Sequence, residues 1–142
     1  MNSITTNIPG ADQKQAFRGI KLLVVGEDLG LLTSRRAFLE SLGYQVLVCS
    51  SHEQALRSLQ SEVLDFVLLS QESPQLDWRS VLQRAIAIDR RTPVLVVTRS
   101  VDMRSYLDAI QLGAVDYVAE PLTASEVARL IEGHLRPQAR LS

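Results

Sequence analysis

Five short apolar runs recur along the chain, and each is followed by a longer segment whose apolar residues fall three or four positions apart. The runs are Ile20 to Val25, Gln45 to Val48, Phe66 to Leu69, Val94 to Val97 and Val115 to Ala119. Most are continuously apolar instead of alternating, as expected of strands covered on both faces. In the segments between them, Leu31, Phe38, Leu39 and Leu42 mark the first helical stripe, and Val127, Leu130, Ile131 and Leu135 mark the last. Ser51-x-x-Gln54 and Thr123-x-x-Glu126 each match a capping box, and Gly43 and Gly113 stand where helices should stop. Strands alternating with helices in this way require right-handed crossovers and a doubly wound parallel α/β sheet.

The 142 residues are the size of one domain, large enough to bury a core without a disulfide or metal staple. A net charge of −1 gives no general attraction to nucleic acid or to an anionic membrane. The single cysteine, Cys49, fits a reducing compartment and a small buried hydrophobe. No apolar run reaches the ~20 residues needed to span a bilayer. The N-terminus lacks a basic start followed by an apolar stretch, so a cytoplasmic location is expected. Residues 1–19 read as a flexible polar tail, 20–136 as the domain, and 137–142 as a short C-terminal tail.

Open parallel sheets carry their sites at the carboxyl ends of the strands, near the switch in strand order. Here those ends are Gly26-Glu27-Asp28, Ser70-Gln71-Glu72, Thr98-Arg99-Ser100 and Glu120-Pro121, each a polar group directly after an apolar run. Strands often end in polar loops, which accounts for any one of these groups. The four together, in this order, are more specific.

From Ile20 to Leu135 the chain resembles the receiver domains of bacterial response regulators, the CheY-like family. The resemblance rests on Leu-Val-Val-x-Glu-Asp over residues 23–28, Gly43-Tyr44-x-Val46, Ala55-Leu56, and Asp65-Phe-Val-Leu-Leu-x followed by Pro74. It continues in Pro93-Val-Leu-Val-Val-Thr98 and Gly113-Ala-x-Asp-Tyr117-Val-x-x-Pro121. It implies a five-stranded, flavodoxin-like (βα)5 fold and a place in two-component phosphorelay signalling. Family members accept a phosphoryl group on an aspartate. That chemistry needs a carboxylate nucleophile, a magnesium ion held by hard oxygen ligands, a lysine that contacts the phosphoryl group, and a Ser or Thr hydroxyl.

Aligned to that pattern, the phosphoacceptor position is Ser70, the lysine position is Glu120, and the first acidic position is Gly26. Glu27 and Thr98 match in type, Tyr117 matches the aromatic that changes rotamer, and Pro121 matches the proline often preceded by a cis bond. A serine hydroxyl is a poor nucleophile without an adjacent base and cannot form an acyl phosphate, and Glu120 inverts the charge of the clamp. The resemblance therefore points to a degenerate pseudo-receiver that is not an enzyme and holds neither metal nor cofactor. Its role would be protein–protein contact with a histidine kinase, an output protein or another receiver. Arg99 is expected to fold over the old pocket and pair with Glu120 or Glu27.

In the family, the fourth helix, fifth strand and fifth helix form the usual dimer and output face. That places Tyr106 and Tyr117 on an interaction face and allows a homodimer through it. Trp78, the only tryptophan, is either packed on its neighbours or an exposed anchor for a partner. The short clusters Arg35-Arg36, Asp89-Arg90-Arg91 and Arg136 to Arg140 read as solvated helix faces or termini, and no DNA-reading motif follows Leu135. His52 and His134 read as surface residues. The alternative is a regulator that senses a small molecule or cation in a strand-end pocket gathering Glu27, Asp28, Glu72 and Glu120 near Ser70. A hydrolase using Ser70 lacks both a nearby histidine and a Gly-x-Ser-x-Gly elbow.

Overall fold

Each apolar run becomes a strand of one parallel sheet. In the computed structural model, which describes residues 17–135, the order is β1 (Lys21–Val25), α1 (Leu29–Ser41), β2 (Gln45–Cys49), α2 (His52–Ser61) and β3 (Phe66–Gln71). It continues through α3 (Trp78–Ile88), β4 (Val94–Thr98), α4 (Met103–Leu112), β5 (Asp116–Ala119) and α5 (Ala124–His134). The strands lie in the order β2-β1-β3-β4-β5, all pairs parallel. This is the flavodoxin-like doubly wound fold, with its switch point between β1 and β3.

Successive strand residues point to opposite faces. Leu22, Val24, Phe66, Leu68, Leu95 and Val97 therefore form one core with Leu32 and Leu39 of α1 and Val127 and Ile131 of α5. Leu23, Val25, Val67, Leu69, Val94 and Val96 form the other, beneath α2, α3 and Ala109 of α4. Burying each of the Val, Leu, Ile and Phe side chains contributes roughly 1.5–3 kcal/mol, and the two layers together explain the uninterrupted apolar runs. The first helical stripe is shifted from the expected one: Leu32, Arg35 and Leu39 are fully buried, and Leu31, Phe38 and Leu42 flank them half-buried.

Every described helix starts at a side-chain cap, namely Asp28, Ser51, Asp77, Asp102 and Thr123. Thr123 and Glu126 close a complete capping box. The expected box at Ser51 is only half formed, because the Gln54 carbonyl turns to the Ser50 N–H at 2.8 Å. The backbone N–H and the hydroxyl of Ser105 hold the Asp102 carboxyl below its usual range. Phe17 stacks on Tyr44, with ring centroids 4.5 Å apart. Residues 1–16 and 136–142, which hold most of the two expected tails, lie outside the described residues. Among the described residues no helix is long and apolar enough to cross a membrane.

Gly43 and Gly113 end their helices with φ of 107° and 110°, a region costly for any side chain. A methyl on Gly113 would also meet Ile86 at 3.1 Å, whereas one on Gly133 would meet nothing within 4 Å. Gly113→Ala is accordingly expected to destabilise the domain by about 1–2 kcal/mol. Gly133→Ala, inside α5, is expected to stabilise it by about 0.5 kcal/mol. Urea unfolding midpoints of the two variants check both signs.

Candidate functional site

The carboxyl ends of β1, β3, β4 and β5 surround an open cleft of about 350 Å³ at the switch in strand order, lined by Glu27, Thr98, Arg99 and Glu120 among others. Gly26 closes β1, donating its N–H to the Cys49 carbonyl at 3.1 Å. A Cβ on Gly26 would stand 3.1 Å from the Ser70 hydroxyl, so the tips of β1 and β3 are already in contact. Ser70 is 2% exposed and lies within β3, which runs two residues further than its apolar stretch, to Gln71.

Each acidic group at the tips is engaged by a donor of the same chain. Glu27 accepts from the Ser73 N–H at 2.9 Å and the Ser73 hydroxyl at 2.7 Å. Glu72 accepts from the Glu27 N–H. Asp28 caps α1 through the Leu31 N–H at 3.1 Å and takes the Arg99 guanidinium at 2.8 Å. The Leu31 N–H, and then Arg99, hold the Asp28 carboxyl below its ordinary range.

Glu120 pairs with Arg35 of α1, both side chains being 6% exposed. The expected pairing of Arg99 with Glu120 or Glu27 is therefore corrected. Arg99 sits at the mouth of the cleft, 66% exposed and paired with Asp28. Arg35 takes the inner place because it lies on the buried stripe of α1 with Leu32 and Leu39. The Thr98 hydroxyl is turned into its own loop, donating to the Ser100 carbonyl and accepting the Ser100 N–H. The Glu120-Pro121 peptide is cis.

On the opposite side of the β3 tip, the Tyr117 hydroxyl donates to the Gln71 side-chain carbonyl at 2.5 Å. Tyr117 is buried and meets the exposed Tyr106 ring edge-on, centroids 6.0 Å apart. The sequence pattern of the response regulator receiver domain family matches residues 22–132. The chain belongs to the response-regulator receiver family.

This receiver is 30% identical over 113 residues to the transcriptional regulatory protein ZraR of Escherichia coli strain K12, covering 80% of the chain and 26% of that protein. It is 31% identical over 116 residues to the probable transcriptional regulator ycf27 of Guillardia theta, covering 82% of the chain and 45% of that protein. The chain thus spans less than half the length of these relatives. A CheY-like receiver domain structure from Methanospirillum hungatei superposes with a TM-score of 0.80 at 20% identity, covering 87% of this chain and 98% of that one. A receiver domain structure from Clostridium thermocellum gives 0.76 at 25% identity, covering 87% and 99%.

Receivers of this family use a magnesium ion, but the donor set at these tips does not fit one. Both Glu27 oxygens are taken by Ser73, and Glu72, Asp28 and Glu120 face donors of the chain. Among the described residues no group of three or more His, Cys, Asp or Glu side chains is placed to hold a metal ion.

Trp78, considered as an exposed anchor, is instead buried at 5% exposure. It is the first residue of α3 and belongs to the core beneath that helix, with the Arg79 guanidinium 4.5 Å from its ring centre. His52 is half-buried, its Nε2 3.1 Å from the Ser80 hydroxyl, so it joins α2 to α3 instead of lying free on the surface. Sequence reading also missed Arg35, Gln71 and Ser73. Arg35 was grouped with Arg36 as a solvated cluster, although it lies three residues after Leu32 and four before Leu39, on the buried stripe.

Removing one partner of a buried ion pair leaves the other charged and unpaired. Arg35→Met is therefore expected to destabilise the receiver by about 3 kcal/mol, and the double change Arg35→Met with Glu120→Met to recover most of that loss. A double-mutant cycle in urea checks this. Independent, additive losses would show that the two side chains are not coupled.

Proposed function

We propose that this receiver acts by protein–protein contact without taking up a phosphoryl group and without catalytic activity of its own. The observation that carries the reading is Ser70 in the phosphoacceptor position near the end of β3, with Glu120 in the lysine position and held by Arg35. An acyl phosphate requires a carboxylate nucleophile, and a hydroxyl needs a neighbouring base to attack at all. A phosphoryl group arriving at Ser70 would also face a negative side chain where family members present a lysine. Gly26 removes one family carboxylate from the tip of β1, and the Thr98 hydroxyl is already bound within its loop.

The contact surface on this reading is α4. Met103, Tyr106, Leu107 and Ile110 are 70%, 41%, 48% and 40% exposed, while Ser105 and Ala109 of the same helix are buried. The exposed residues fall at i, i+3, i+4 and i+7, so α4 carries an apolar stripe facing water as well as its core face. Val101 before the helix and Val115 before β5 extend it at 59% and 39% exposure. A partner laid along such a stripe is a protein: a histidine kinase, an output protein, another receiver, or a second copy meeting it through α4, β5 and α5. We place the chain in the cytoplasm on its unpaired, buried Cys49 and on the family's signalling role.

Incubation with acetyl phosphate or beryllofluoride plus magnesium is expected to leave the intact mass and the amide NMR spectrum unchanged. A stable phosphoprotein would refute the reading. The double variant Leu107→Lys with Ile110→Lys is expected to lower the unfolding free energy by no more than about 1 kcal/mol, because about half of each side chain already faces water and lysine suits the last turns of a helix. A loss above about 2 kcal/mol would assign the stripe to the core instead of to docking.

A further inference from the structure

We infer that Gln71 is a latch between the β3 tip and α4, fixing by an uncharged amide the position of the helix that carries the apolar stripe. Gln71 is the last residue of β3 and follows Ser70, so its side chain projects from the opposite face of the sheet. Both ends of its amide are used there. The carbonyl accepts from the Tyr117 hydroxyl of β5 at 2.5 Å, and the NH2 donates to the Ser105 hydroxyl of α4 at 3.1 Å.

Ser105 is 4% exposed and is held from two further directions. Its N–H donates to Asp102 at 2.7 Å, and its hydroxyl receives the Arg79 guanidinium of α3 at 3.3 Å. Arg79 also pairs with Asp108, three residues further along α4, at 2.9 Å. A single amide thus joins β3, β5 and α4, with α3 tied in through the arginine.

The geometry gives Gln71 a hold on the exposed stripe. Tyr117 is 7% exposed, and a buried hydroxyl deprived of its acceptor is costly enough to favour movement of the ring toward water. Tyr117 packs in a T-shaped contact against Tyr106, which belongs to the stripe, and Ser105 is the residue next to Tyr106. Loss of the amide would remove support from the stripe at both points. A methionine of similar length fills the space and supplies neither bond.

This inference rests on the reading that α4 is the contact face, and it is tested separately from that reading. Backbone hydrogen exchange of the full chain is compared in wild type, Gln71→Met and Gln71→Leu, each of which removes both bonds of the amide. Exchange of the α4 amides is expected to quicken about tenfold in each variant relative to the amides of α1. With 3-fluorotyrosine incorporated, the Tyr117 fluorine of Gln71→Met should move from a buried to a solvent-exposed environment. If Gln71→Met does not fold, Gln71→Leu decides alone. An α4-to-α1 exchange ratio within about twofold of wild type in either folded variant overturns the latch. A latch that passes in a protein that still takes up a phosphoryl group would sink the phosphorylation-independent reading and leave this one standing.

Discussion

A parallel sheet covered by helices on both faces leaves polar chemistry only where its strands stop. In this receiver the central strands β1, β3 and β4 are apolar through almost their whole length, and the polar residues gather at their carboxyl ends. The switch in order between β1 and β3 opens a crevice at those ends, where Gly26 lies against Ser70 and where Glu27, Gln71, Thr98 and Glu120 line the cleft from four strands. Their meeting is a consequence of the sheet. What they can do is set by their own chemistry.

That chemistry is dominated by the sign of Glu120. A carboxylate cannot stay in a largely buried place without a partner, and α1 supplies one in Arg35. The two residues are eighty-five positions apart in the chain, which ties the helix after β1 to the tip of β5 across the site. A buried pair of this kind adds little net stability over a well-packed apolar pair, but losing half of it is expensive. The remaining acids are drawn off in the same manner, Glu27 by Ser73 and Asp28 by Arg99. Every carboxylate that lines the cleft is thereby occupied with holding the loops in place.

The fold was legible because burial on both faces leaves continuous apolar runs, and because caps such as Thr123 with Glu126 mark helix starts chemically. The occupants of the strand tips were legible through the ordered motif. Pairing across the fold was not. Arg99 was an obvious partner for Glu120 because it lies near the site in sequence, yet its backbone at the end of β4 carries it to the rim. Arg35 is remote in sequence, and only its place in register with Leu32 and Leu39 hinted that it faces inward. Trp78 illustrates the opposite problem: it directly follows Asp77, whose left-handed backbone (φ 51°) turns the chain so that the ring is buried at the start of α3. Gln71 gave no signal beyond alternation with Ser70, since a polar residue at a strand end is ordinary.

On the proposed reading, the loss of the nucleophile changes what kind of signal this fold carries. A phosphoryl group shifts a receiver between conformations only by binding one of them better than the other. With Ser70 buried and Glu120 neutralised by Arg35, no comparable differential charge enters the site. The amide of Gln71, which is always present, holds Tyr117 and α4 in one arrangement. Information would then reside in how much of the protein is present and which partner occupies the α4 stripe, with affinity set by the surface and not by a covalent mark. Such a surface has to be kept in a binding-ready form at all times, because no later event completes it. The large apolar side chains that α4 leaves in water are what that requirement looks like in a single helix.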